Sequence, residues 1–245
     1  MKKMLLPALL MTLAAVCLAG CAVVVPASYQ DQVEGSGALK RYEFSVGAVN
    51  EIKVELFCDV RYHAAPDQTV VLEIQPNLRE YVNVEEVDGV LTVSDARTTT
   101  WNKTTPVLTL SMPAPSSLSL AGAGDFQTVD PIVADAFTLN IEGAYTGQAD
   151  LAVTSLKVSM EGASEFTLTG QADVAALQLN GLGELNALSL QTNVATVNLS
   201  GIGTIGVNCQ ENLWVYTDGL GTVEYKGAPN IHLNNSGLAN VKKAD

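Results

Sequence analysis

The chain reads as an all-β protein of the β-solenoid class, a right-handed parallel β-helix with rungs of about nineteen residues, on three observations. A glycine recurs at Gly122, Gly143, Gly162, Gly181, Gly201, Gly219 and Gly237, at intervals of 21, 19, 19, 20, 18 and 18 residues. Alignment on that glycine brings apolar residues into fixed columns. Between those columns the residues are polar, which is the period-two alternation of a half-buried strand, repeated at every glycine.

At the N-terminus, Lys2 and Lys3 precede a stretch, Met4 to Val16, that is apolar except for Pro7 and Thr12. It is too short to span a bilayer and has the length of the apolar region of a signal peptide. It closes on Leu18-Ala19-Gly20-Cys21, which resembles the lipobox of bacterial lipoproteins. That resemblance implies cleavage before Cys21 and acylation of its thiol and new amine, so the expected membrane partner is engaged through acyl chains. Each buried acyl methylene is worth about 0.8 kcal/mol, so one chain anchors marginally and two or three anchor firmly. Ala22, not an aspartate, follows the cysteine, resembling the pattern sorted to the outer membrane of a Gram-negative cell. The expected division is a signal peptide over 1–20, a lipidated N-terminus and tether over 21–40, and one β domain over 41–245.

Between Arg41 and Ser94 the strands Ile52 to Leu56, Val70 to Ile74, Val82 to Val84 and Val90 to Val93 stand out, with a tight turn at Asp88-Gly89. They read as larger N-terminal rungs that cap the stack against end-to-end association. Residues 95–106 are a polar excursion carrying Trp101. Beyond it the columns begin. Four before the glycine stand Leu118, Leu139, Val158, Leu177, Val197, Val215 and Leu233; two before it, Leu120, Ile141, Met160, Leu179 and Leu199. Four after it stand Phe126, Gly147, Phe166, Leu185, Ile205, Val223 and Val241. One strand–corner–strand unit cannot bury its apolar face alone, whereas stacked copies can. One after the glycine, alanine gives way to Leu182, Ile202, Leu220 and Leu238, which suggests larger inward residues refilling the core. An antiparallel sandwich or barrel is the alternative, but it would not need the columns to stay in phase.

The formal charge of −13 becomes −15 without residues 1–20, with 11 Lys and Arg against 26 Asp and Glu. Between Lys103 and Lys226 the only basic residue is Lys157, among twelve acids. Such a surface repels phosphate backbones, so no nucleic-acid partner is expected. Cys17 leaves with the signal and Cys21 is acylated, so Cys58 and Cys209 remain as thiols. About seven periods separate them, or about 34 Å at ~4.8 Å per rung, against a disulfide limit of ~7 Å. Both are therefore expected unpaired.

The strand pattern of 44–94, the repeated G-x-G corners, and Gly221-Thr-Val-Glu-Tyr-Lys-Gly-Ala-Pro229 followed by Ser236-Gly237-Leu-Ala-Asn-Val241 resemble the bacterial DUF2807 domain, the autotransporter adhesin head or GIN domain. The resemblance covers roughly 41–241 and departs from the pattern at Gly143-Ala-Tyr-Thr146 and Gly237-Leu-Ala239, where the second glycine is missing. It implies a right-handed β-helix on an exported, often lipid-anchored protein, and it supplies no catalytic residues to carry over.

Three groups of residues bear on catalysis. Glycosidases need two carboxylates flanking the scissile bond. Asp125, Glu165 and Glu184 stand three after the corner glycine, and Glu142 and Glu161 one before it. Glu165 and Glu184 fall on successive rungs, about 5 Å apart at the backbone. Two such carboxylates can recruit a cation; a solvated acidic edge is the plainer reading of Glu142, Glu161, Glu165 and Glu184. His63 and His232 are the only histidines, too few for a Ser/His/Asp site, and each reads as a strand or surface residue. Tyr145, Tyr216, Tyr225, Trp101 and Trp214 fall in different columns and suggest no sugar-stacking platform. The sequence thus predicts no catalytic residue, metal or cofactor, and a non-catalytic envelope protein for adhesion, scaffolding or glycan contact. A glycosidase or lyase on a β-helix is the competing class.

Overall fold

The computed structural model describes residues 33–96, 101–102 and 105–244; the expected signal peptide, Cys21 and most of the expected tether lie outside them. Strands β1 (Val33–Glu34), β2 (Lys40–Ser45), β3 (Glu51–Phe57), β4 (Asp59–Ala64) and β5 (Thr69–Ile74) lead to a 3-10 helix over Pro76–Tyr81. After it come β6 (Val82–Val87), β7 (Val90–Asp95), β8 (Trp101–Asn102) and β9 (Val107–Met112). The repeat region forms β10 (Ser117–Thr128), β11 (Ile132–Leu179), β12 (Leu182–Leu199), β13 (Ile202–Thr217), β14 (Leu220–Lys226), β15 (Asn230–Asn235) and β16 (Leu238–Lys243). From β10 onward every pairing between strands is parallel. The result is a β-solenoid of about six turns with rungs of about 20 residues, and the sandwich alternative falls.

Register follows the glycine columns. Leu118 pairs with Leu139, Gly122 with Gly143, Glu165 with Glu184 and Gly203 with Gly221. Rung length varies, and the surplus is absorbed in register shifts between Thr167 and Thr169 and between Ala187 and Gln191. The glycine column has a packing cause. A Cβ on Gly201 would run into the carbonyl oxygen of Gly181, and one on Gly181 into that of Gly162. The obstacle is a backbone carbonyl, which any residue would present; at the first corner, Gly122, it belongs to Leu56. Gly162 carries a second constraint, a φ of +105°, which L side chains rarely adopt.

Even offsets from the glycine face inward and odd offsets outward: the strand runs straight through the corner at Gly122, Gly143 and Gly162, and the two-residue breaks at Gly181, Gly201, Gly219 and Gly237 preserve the parity. Leu120, Leu139, Val158, Leu177, Val197 and Val215 are buried on that account. Gly147 occupies an inward position four after its corner. A Cβ there would strike the Phe166 ring; without one, Phe126 and Phe166 stack across the intervening rung with centroids 6.3 Å apart. Tyr145, where the second glycine is missing, is also inward and buried, and its hydroxyl donates to the Leu56 carbonyl at 2.9 Å.

Parity also overturns one expectation. Leu182, Ile202, Leu220 and Leu238 stand at offset +1 and project outward, between 45% and 83% exposed. They form an external aliphatic ladder and do not refill the core.

The N-terminal region departs further from a simple series of rungs. β3 and β4 stack directly on β10, with Ile52 opposite Leu118 and Val60 opposite Phe126. The next layer outward is formed by later residues: β7 pairs parallel with β3, and β9 with β4. Antiparallel pairs β6–β7, β2–β5 and β5–β9 close that end. Strands β5, β6, β7 and β9 thus belong to an outer cap laid over the rung of β3 and β4. β1, within the expected tether, pairs with β8, and the Asn77 side-chain amide donates to the Glu34 carbonyl at 2.9 Å.

This topology shortens the cysteine separation. Cys58 lies opposite Gly124, and residues 145, 164, 183 and 203 mark the following rungs up to that of Cys209. Five rung steps give about 24 Å, not 34 Å, because the cap adds none between them. Both cysteines are free and buried.

Candidate functional site

The acidic residues separate into two columns. Glu165 and Glu184 are register partners on β11 and β12, both exposed. With Asp125, Thr146, Gln148 and Asn186 they line a depression of about 350 Å³ on one face. Thr146 donates to the Asp125 carboxylate at 3.1 Å. Glu142 and Glu161 stand on the other flank of the glycine corner, also exposed, and the Asn180 amide donates to Glu161 at 3.5 Å. The structure therefore brings Glu165 together with Glu184 and keeps Glu142 and Glu161 apart from them. Among the described residues no group of three or more His, Cys, Asp or Glu is arranged to hold a metal ion. Cys21 lies outside the described residues. A larger groove of about 680 Å³ runs along another corner, lined by Asp135, Thr154, Gln171, Asp173, Gln191 and Asn193.

The buried titratable groups serve the interior. Burial, and then the charge of Asp59, pushes the Cys58 thiol well above its ordinary range. Burial likewise raises Tyr62 to about 12, with Asp130 adding to the effect. Tyr145 is raised further, first by burial and then by Cys58 and Asp59. These groups are held neutral and inaccessible, which suits packing and not nucleophilic work. His63 lies 3.6 Å from the Asp130 carboxylate at the surface.

Trp214 and Tyr216 occupy different columns, but both sit at odd offsets of one rung and share the outer face of β13. Their inward neighbours Leu213, Val215 and Thr217 are buried. His232 on β15 pairs with Trp214, and the two rings lie within 13° of parallel with centroids 5.1 Å apart. The parity of offsets along one strand was the signal that would have found this pair.

The family model described as "Putative auto-transporter adhesin, head GIN domain" matches residues 48–229. A crystal structure of a "putative adhesin" from Bacteroides fragilis superposes with a TM-score of 0.80 at 23% identity, covering 86% of this chain and 100% of that one. A "putative adhesin" from Parabacteroides distasonis gives 0.66 at 22% identity over 87% of this chain and 100% of that one. A "putative lipid binding protein" from the same species gives 0.68 at 18% over the same shares. At these identities the likeness concerns the fold. A search of curated proteins finds no match. With the family model spanning residues 48–229 and the solenoid in hand, the chain belongs to the DUF2807 family of adhesin head GIN domains.

Proposed function

We propose that this protein is exported, held at the outer membrane by acyl chains on Cys21, and uses its solenoid for non-catalytic contact with other components of the cell envelope. The observation that carries this reading is the surface: outward columns repeat rung after rung, so the molecule offers long faces of fixed spacing, as suits an adhesin head. The candidate carboxylates favour contact over catalysis. Glu165 and Glu184 project side by side from neighbouring strands of one face into solvent. Glycosidase carboxylates must flank the bond they cleave, and the general acid is made by withdrawing one of them from water.

The test has two arms. Cells fed an alkyne fatty acid should yield labelled wild-type protein in the membrane fraction, whereas Cys21→Ala should be unlabelled and stay as precursor. Beads coated with purified protein should adhere to isolated envelope material in proportion to coating density. Unlabelled wild-type protein would sink the anchor, and beads no stickier than albumin-coated controls would sink the contact role.

A further inference from the structure

We propose that the outer face of β12, β13 and β15 around Trp214 is a binding site for an uncharged glycan. The proposal rests on the contact reading above and names its ligand. Outward residues on the three strands form a grid. Thr196, Trp214 and His232 make one row across the rungs, and Asn198, Tyr216 and Asn234 make the next. Along each strand the rows lie about 6.6 Å apart, and neighbouring rungs are about 4.8 Å apart.

The imidazole of His232 covers the side of the indole facing β15. On the β12 side the same row continues into Thr196 and then Ala176, both small. The other side of Trp214 therefore overlooks a low shelf of smaller side chains. Beside that shelf stand Asn198 and the Tyr216 hydroxyl, with Asn234 beyond them. These three side chains hydrogen-bond to no partner among the described residues. Facing outward, their donors and acceptors are open to a ligand. Tyr216 is 44% exposed, a large aromatic surface to leave in water.

The chemistry selects the ligand class. An aromatic wall beside free amides suits a molecule with an apolar C–H face and a rim of hydroxyls, which is the make-up of a pyranose. An extended peptide adds to an open strand edge; β13, which carries Trp214 and Tyr216, has none, being paired to β12 and to β15, and the unpaired edge of β15 lies on the far side of His232 and Asn234 from Trp214. A lipid surface needs an amphipathic face rich in Lys and Arg; this one carries uncharged amides and hydroxyls. The grid is neutral apart from His232, on a chain of net charge −13. A polyanion would be repelled by such a chain, and a polycation would find richer carboxylate clusters elsewhere on it.

The experiment uses the full chain purified in detergent. Its probes are immobilised neutral oligosaccharides of glucose, mannose, xylose and N-acetylglucosamine, with alginate oligomers and phosphatidylcholine vesicles alongside. Wild-type protein should be retained by at least one neutral oligosaccharide. Trp214→Ala should weaken retention by about tenfold or more, as truncating an aromatic anchor does. Asn198→Ala, which removes no described internal contact, should weaken it several-fold, while Glu165→Gln should leave it unchanged. Retention by none of the neutral sugars overturns the proposal. So does retention equal in wild type, Trp214→Ala and Asn198→Ala, although the contact role would then stand with its site elsewhere. Alginate or vesicle binding that Trp214→Ala abolishes overturns the ligand class. Shortened oligosaccharides in the eluate would instead overturn the non-catalytic reading, which separates the two failures.

Discussion

At the scale of single residues, the corner is governed by backbone proximity. Gly201 has no methyl because the Gly181 carbonyl occupies its place, and the same relation holds for Gly219 over Gly201. Gly201→Ala must push two rungs apart or bend the corner. The expected cost is about 1–3 kcal/mol, the range for overpacking a tight site. One residue past the corner, offset parity gives the opposite result. Ala163 is outward and exposed, and its register partner Leu182 already carries the larger side chain there. Ala163→Leu should therefore change stability by no more than about 0.5 kcal/mol. Urea unfolding of the two variants checks both values; a costly Ala163→Leu with a neutral Gly201→Ala would mean the inward and outward faces are reversed. The glycine column was plain in the sequence. Its cause was not, since carbonyl approach between rungs is a three-dimensional fact, and the outward turn of Leu182, Ile202, Leu220 and Leu238 was misjudged from hydrophobicity alone.

Among the elements, the long strands of the repeat were legible and the cap was not. Residues 117–241 repeat their own pattern, so each rung predicts its neighbour. In 41–112 nothing repeats, and the same apolar runs fit several pairing orders; only tertiary packing sets β7 and β9 outside β3 and β4. Two buried phenols tie these layers together. Tyr62 on β4 donates to the Met112 carbonyl at the end of β9 at 3.1 Å, and Tyr145 on β11 donates to Leu56 on β3. Both must stay protonated to donate. Their folded values lie above the ordinary tyrosine value of about 10, with Tyr62 at about 12 and Tyr145 higher. The unfolded chain thus releases these protons first. Stability from the ties is complete below about pH 10 and is lost as pH climbs through 12. Chemical denaturation between pH 8 and pH 12 should show this fall. Tyr62→Phe should be weaker near neutrality, by about 1 kcal/mol for the lost hydrogen bond, yet decline less steeply above pH 10. An identical alkaline slope in wild type, Tyr62→Phe and Tyr145→Phe would rule the ties out.

For the whole molecule, a repeating acidic solenoid presents faces in place of a single cleft. The two depressions described above are lined by polar side chains at rung spacing. The sequence placed Glu165 beside Glu184 correctly, because a column and a register are the same thing in a solenoid. It did not reveal the aromatic and amide face, because that grid joins two columns through the parity of one strand. These faces are expected to hold a ligand without altering it. The most direct measurement is mass spectrometry of a broad polysaccharide panel before and after prolonged incubation with the purified protein. Unchanged chain lengths and end groups throughout are the predicted result. New reducing or unsaturated ends, lost in Glu165→Gln or Glu184→Gln, would contradict it and make the acidic ridge an active site.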